Sequence, residues 1–181
     1  MSRTVTLVIG GARSGKSRFA EGLADGTVGD VTYIATAEAW DDEMRTRIAA
    51  HQADRPAHWD TVDAPIDLRA ALTAHARPGG AVLVDCLTLW LSNLMLKERN
   101  LEAEGDQLCG QLDTLEGEII FVSNEVGQGI VPDNAMARTF RDAQGRLNQK
   151  LAACADQVFL ITAGLPLQLK PHHTSHLQRG A

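Results

Sequence analysis

The chain has 181 residues, of which 44% are hydrophobic and 22% charged, with a formal net charge of -6 at pH 7; that is enough for one well-buried core and, on ordinary size, one domain. The acidic balance supplies no basic field for DNA or RNA, which argues against a nucleic-acid partner and requires any positive site to be local. Cys86, Cys109 and Cys154 are odd in number, far apart and not in a C-x-x-C arrangement, a pattern of free thiols in a reducing compartment rather than of a zinc site or disulfide framework.

The N-terminus has no long apolar h-region and runs straight into a strand, so no signal peptide is expected. The longest apolar stretch, Ala81 to Leu96, is broken by Asp85, Ser92 and Asn93 and falls short of a membrane span. A cytoplasmic protein is the expectation.

The first strand, Thr4 to Ile9, is β-branched and apolar on both faces, as a parallel strand covered by helices must be. It leads into Gly10-Gly11-Ala12-Arg13-Ser14-Gly15-Lys16-Ser17, which fits G-x-x-x-x-G-K-[ST], the P-loop pattern. The spacing has a chemical reason. A polyphosphate must be wrapped without side chains in the way, and glycines let the backbone turn tightly with its N–H groups inward. A helix from Lys16 to about Asp25 adds its N-terminal N–H groups and dipole, Lys16 reaches the β- and γ-phosphates, and the Ser17 hydroxyl is placed to ligate Mg²⁺.

A second strand, Val31 to Ala35, ends at Thr36 and Ala37, which would line the same crevice, because open α/β sheets bind ligands beyond the carboxyl ends of their strands. Asp41-Asp42-Glu43 then opens a helix on which Met44, Arg47, Ile48 and His51 share one face. Arg55-Pro56 stops that helix. Thr61 to Asp63 is strand-like, Ile66 to Ala76 helical, and Pro78-Gly79-Gly80 a turn.

Ala81 to Cys86 is an apolar strand ending in Asp85, the Walker B form in which an acid at a strand tip holds Mg²⁺ or its waters opposite the P-loop. Leu87 to Lys97 reads as an apolar helix, Glu98 to Gly117 as a polar helical stretch, and Glu118 to Ser123 as a strand. Asn124-Glu125-Val126-Gly127-Gln128-Gly129 follows it and reads equally as a site loop or a plain turn. Pro132 to Ala155 is a long helix carrying Arg138, Arg141 and Arg146. Gln157 to Ala163 is the last predicted strand, and the histidine-containing tail from Pro171 is expected to be disordered. Alternating strands and helices without a repeat or linker imply a single α/β domain, residues 1–170, with a mainly parallel central sheet in a three-layer, P-loop NTPase-like fold.

By itself this pattern says NTP plus Mg²⁺. The combination of Gly10 to Ser17, Tyr33-Ile-Ala-Thr36, Asp41-Asp-Glu-Met44, Arg47-Ile48 with His51, Arg55-Pro56 with Trp59, Asn124-Glu-Val-Gly127, Gly129-Ile-Val-Pro132, Arg141-Asp142, Gly145-Arg146, Asn148-Gln149 and Gly164 resembles a known family. It is that of the bifunctional adenosylcobinamide kinase / adenosylcobinamide-phosphate guanylyltransferase of cobalamin biosynthesis, and the resemblance runs to about Lys170.

The resemblance implies two reactions on one scaffold: phosphorylation of the aminopropanol hydroxyl of adenosylcobinamide by ATP or GTP, then GMP transfer from GTP to adenosylcobinamide phosphate, giving adenosylcobinamide-GDP and pyrophosphate. It implies a GMP-histidine intermediate on His51, with His58 the nearest competitor, and guanine-nucleotide contacts at Gly10, Gly11, Ala12, Arg13, Ser14, Gly15, Lys16, Ser17, Ala35, Thr36, Ala37, Gln52, Ala53, Asp54, Arg55, Asp63 and Asp85. Lys16 and Asp85 would join His51 in catalysis, with Ser17 and Asp85 holding Mg²⁺. A homotrimer is also implied. A neutral imidazole is a competent nucleophile at phosphorus near neutral pH, so the chemistry of His51 suits that role. Two other readings keep the P-loop: a monofunctional small-molecule kinase, and a nucleotide-binding regulatory protein without transfer chemistry.

Overall fold

The structure is a computed structural model and describes residues 3–38 and 56–171. Seven strands form one sheet: β1 (Thr4–Gly10), β2 (Val31–Ala35), β3 (Asp60–Asp63), β4 (Ala81–Asp85), β5 (Glu118–Asn124), β6 (Gln157–Thr162) and β7 (Leu165–Lys170). The described helices are α1 (Lys16–Asp25), α2 (Leu68–His75), α3 (Leu87–Leu96), α4 (Leu101–Gln111) and α5 (Ala135–Cys154). Strand order is β3-β2-β4-β5-β1-β6-β7, with β1 to β6 mutually parallel and β7 antiparallel on the edge.

Both faces of the central strands are dry, which is why they read as continuous apolar runs. Alternate residues serve alternate faces. Val5, Leu7, Val82, Val84, Ile119 and Phe121 pack with Trp90, Leu94, Leu108 and Leu147 beneath α2 to α5. Val8, Ala81, Leu83, Ile120 and Val122 pack with Ala20 and Ala24 of α1 on the other side. Trp90, Phe121, Leu83 and Leu87 are fully enclosed, and burial of each such side chain is worth about 2–3 kcal/mol.

Two helices start at asparagine caps. Asn100 accepts from Ala103 N–H at 3.1 Å and starts α4, while Asn134 accepts from Met136 N–H at 2.8 Å and starts α5 two residues after Pro132. The polar stretch expected to be helical to Gly117 instead leaves α4 at Gln111 and ends in a 3-10 turn over Leu112–Thr114.

The sequence reading stopped its strands at Ala163, whereas the chain continues into β7. Ala163 (φ 53°) and Gly164 (φ 79°) both take the left-handed backbone that a two-residue hairpin loop requires. Pro166 is accommodated because β7 is an edge strand. No described helix is long and apolar enough to cross a membrane. The tail from His172, like the helix read from Asp41, lies outside the described residues.

Candidate functional site

Because β1 to β6 are parallel, their carboxyl ends open on one side of the sheet, and the described site residues that end or follow β1 to β4 lie on that side. Residues 11–15 link β1 to α1. Arg13 (φ 56°) and Gly15 (φ 94°) bend the loop through left-handed backbone, and Ser14 N–H closes it on the Gly11 carbonyl at 3.3 Å. A Cβ at Gly10 would sit 2.6 Å from Ser14 Oγ and 2.7 Å from the Ile161 carbonyl oxygen. The loop tolerates no side chain there.

Among the described residues no side chain caps α1, and no acid occupies its first turn. Its first N–H groups are therefore free to meet an anion. Lys16 Nζ donates to the Gly11 carbonyl at 3.3 Å, which places the ammonium over the loop. Gly164 N–H donates to the Ser14 carbonyl at 2.8 Å, so the β6–β7 turn braces the cradle from the side.

Asp85 ends β4, two strands from β1, and is half-buried. Neither its carboxylate nor the Ser17 hydroxyl has a partner among the described residues. These are hard oxygen donors of the kind Mg²⁺ selects, so the donor set fits that ion. The tip of β4 is fixed by Thr36, whose hydroxyl donates to the Cys86 carbonyl at 2.7 Å and accepts from Cys86 N–H at 2.9 Å. Asn93 of α3 donates to the Thr36 carbonyl at 2.8 Å and the Pro65 carbonyl at 3.1 Å, tying β2, β3 and β4 together. Thr36, grouped with Ala35 and Ala37 as a crevice residue, thus has its side chain wholly buried and engaged with backbone. Burial, and secondarily the Asp85 charge, push the Cys86 thiol up to about 11.

Between β1 and β4 lies β5, and its tip is the most extensively bonded part of this edge. Ser123 Oγ donates to Asn148 Oδ1 at 2.6 Å and accepts from Gln144 Nε2 at 2.8 Å. Asn148 Nδ2 donates to the Asn124 carbonyl at 3.0 Å, and Asn124 N–H donates to Thr88 Oγ1 at 2.9 Å. Glu125 N–H then donates to the Gly10 carbonyl at 3.0 Å, joining this tip to the P-loop. Thr88 and Gln144 escaped the sequence reading. The available signal was that Gln144 and Asn148 sit four residues apart beside Ala143, Leu147 and Leu151, polar groups in an apolar helix stripe.

Asp63 ends β3 at the sheet margin and is exposed. In the order β3-β2-β4-β5-β1 it stands four strand spacings, roughly 19 Å, from the P-loop strand. His58 lies 4.0 Å from Asp25 at the far end of α1, about 14 Å along that helix from the cradle. Arg138 donates to the Pro132 and Asp133 carbonyls and Arg141 pairs with Asp142 at 3.2 Å, so both brace their own segment. His51, Gln52, Ala53, Asp54 and Arg55 lie outside the described residues.

Solved structures with this architecture include an ATPase of a bacterial type III secretion system (TM-score 0.54, 10% identity, 91% of this chain and 56% of that one) and the RadB recombinase (TM-score 0.50, 17% identity, 87% and 73%). At those identities they share the fold alone, which is that of P-loop NTPases. Sequence relatives are closer. The bifunctional adenosylcobalamin biosynthesis protein CobP of Pseudomonas aeruginosa is 49% identical, over 91% of this chain and 96% of its own. The corresponding CobU proteins of Salmonella typhimurium and Escherichia coli are 42% and 40% identical, each over 91% of this chain and 98% of theirs. The profile of the cobinamide kinase / cobinamide phosphate guanyltransferase family matches residues 6–169, and the chain belongs to that family.

Proposed function

We propose that this protein phosphorylates adenosylcobinamide with an NTP and then transfers GMP from GTP to the resulting phosphate, releasing pyrophosphate. The observation that carries the reading is the pairing of a P-loop cradle, with Lys16 folded over it, and a carboxylate two strands away at Asp85 that has no partner among the described residues. Family membership over residues 6–169 narrows that general NTP chemistry to cobinamide.

In the kinase step the N–H groups of residues 11–17 hold the β- and γ-phosphates, and Lys16 neutralises charge on the migrating phosphoryl group. Ser17 and Asp85 would hold Mg²⁺, which supplies Lewis-acid neutralisation of the phosphate oxygens. In the guanylyl step His51 attacks the α-phosphorus of GTP: an N–P bond forms and the bond to pyrophosphate breaks. The cobinamide phosphate oxygen then displaces the histidine. The same cradle serves as donor site in one reaction and leaving-group site in the other. Asp63, far from the phosphates and at the sheet margin, suits the base end of the nucleotide.

Incubating the protein with adenosylcobinamide, Mg²⁺ and ATP or GTP is expected to yield cobinamide phosphate and then cobinamide-GDP. His51→Ala should abolish covalent labelling by α-labelled GTP while phosphorylation persists. Labelling that survives in the variant removes His51 from the role, and a protein that makes neither product overturns the reading.

A further inference from the structure

Resting on that reading, we infer that Glu125 is the catalytic residue that takes the proton from the acceptor hydroxyl in the kinase step, held in place by the buried Ser123–Gln144–Asn148 cluster. The two acceptors pose different demands. A cobinamide phosphate is a phosphate monoester, largely ionised at neutral pH, and needs no base. The alcohol that precedes it carries a proton that must leave as its oxygen bonds to phosphorus.

The strand order ranks the carboxylates of this edge by closeness to the phosphate cradle. Asp63 is four strands from β1 and Asp85 two, whereas Glu125 follows β5, the immediate neighbour of β1. Its own N–H is bonded to Gly10, the first P-loop residue, at 3.0 Å. Asp85 has a separate task in the proposed Mg²⁺ site, and of these three acids Glu125 is the one whose backbone adjoins the cradle.

The side chain is built into position. Glu125 Oε1 accepts from Gly127 N–H at 2.7 Å. No cation pairs with it among the described residues, so Oε2 keeps both lone-pair directions for an acceptor O–H. A Cβ at Gly127 would stand 2.9 Å from Oε1, so a side chain there shifts the carboxylate. Beneath it, Asn148 holds the Asn124 carbonyl while Thr88 holds the Asn124 N–H, so the residue preceding Glu125 is pinned on both sides. Gln144 and Asn148, which belong to a helix the nucleotide itself need not touch, thereby act as positioning residues.

The step balances. The acceptor oxygen bonds to the γ-phosphorus, the β–γ bridging bond breaks, the NDP leaves with the electron pair, and the proton passes to Glu125, which later releases it to solvent.

Glu125→Gln keeps the size and the hydrogen bond to Gly127 while removing the basic oxygen. The expected result is kinase turnover reduced at least 100-fold, with KM for the nucleotide, GTP affinity by calorimetry and GMP self-labelling all within threefold of wild type. Gly127→Ala, which displaces the carboxylate without deleting it, should lower kinase turnover about tenfold under the same controls and decides the matter if Glu125→Gln fails to fold. Kinase turnover within threefold of wild type in either folded variant overturns the assignment. Loss of GTP affinity and labelling together with turnover also overturns it, because the residue would then serve the nucleotide. An inactive wild-type protein overturns the activity reading and this assignment together, whereas an active wild type with an unimpaired Glu125→Gln variant overturns the assignment alone.

Discussion

The P-loop and the tip of β5 lie side by side, joined by the hydrogen bond from Glu125 N–H to Gly10, yet they are held by different means. The P-loop is shaped mainly locally, by glycines at positions 10 and 15, left-handed backbone at Arg13 and Gly15 and a turn closed within itself, with one outside brace from Gly164. The β5 tip is shaped from a distance, by Thr88 on α3 and by Gln144 and Asn148 on α5, residues 20 or more positions away in the chain. A locally encoded loop can be read from its motif. A remotely held one is rigid for reasons that lie elsewhere, and its polar groups are costly to leave unpaired.

The largest effect should come from the locally encoded side. Lys16→Ala removes the ammonium over the cradle and is expected to lower both transfer reactions by at least about 1000-fold, with the melting temperature nearly unchanged, because Nζ makes a single hydrogen bond to Gly11 among the described residues. Product assays and a thermal melt check both halves. A large loss of stability would mean that the loop depends on Lys16 as the β5 tip depends on α5.

Gly10→Ala brings a Cβ within 2.7 Å of the Ile161 carbonyl and is expected to weaken nucleotide binding about 100-fold, roughly 2.7 kcal/mol. Titration of the variant with GTP measures it. Binding within threefold of wild type would show the loop to be more pliant than its packing against β6 indicates.

Breaking the remote side should give the opposite balance, with stability suffering more than chemistry. Asn148→Leu leaves Ser123 Oγ and Gln144 Nε2 without their shared acceptor and releases the Asn124 carbonyl. An expected loss of about 2–3 kcal/mol in denaturant unfolding accompanies kinase turnover lowered about tenfold, with GTP affinity retained. If nucleotide affinity fell as far as in Gly10→Ala, the two regions would be one unit.

An effect confined to alkaline pH, and absent near neutrality, concerns the β4 tip. The unfolded Cys86 thiol titrates near 9 and the folded one near 11, so between those values the native state keeps a proton that the unfolded state has lost. Stability is therefore unaffected below pH 9 and falls as pH rises from 9 towards 11, by at most about 3 kcal/mol. The half-buried Cys109, pushed up to about 12 by burial and then by Cys154, acts in the same direction. Unfolding midpoints at pH 8 and pH 10.5, compared between wild type and Cys86→Ala, isolate the contribution. Iodoacetamide at pH 8 should label the exposed Cys154 and spare Cys86; equal labelling would show the Thr36 clamp to be open.

The sequence by itself determined the alternation of strands and helices, the phosphate cradle and the acid at the end of β4, because each depends on short-range geometry: apolar runs covered on both faces, glycine spacing, a carboxylate at a strand tip. The motif pattern also carried the family. The tertiary structure alone decided the strand order, which sets β5 between the P-loop and Asp85 and sends Asp63 to the margin. It likewise decided that Thr36 turns its hydroxyl to Cys86, that His58 sits at the wrong end of α1, and that residues 165–170 fold back as an edge strand. The physical reason is common to all of these. Hydrogen bonds between groups far apart in the chain form only once the sheet has brought them together, and no local pattern announces which distant partner a buried polar side chain will find.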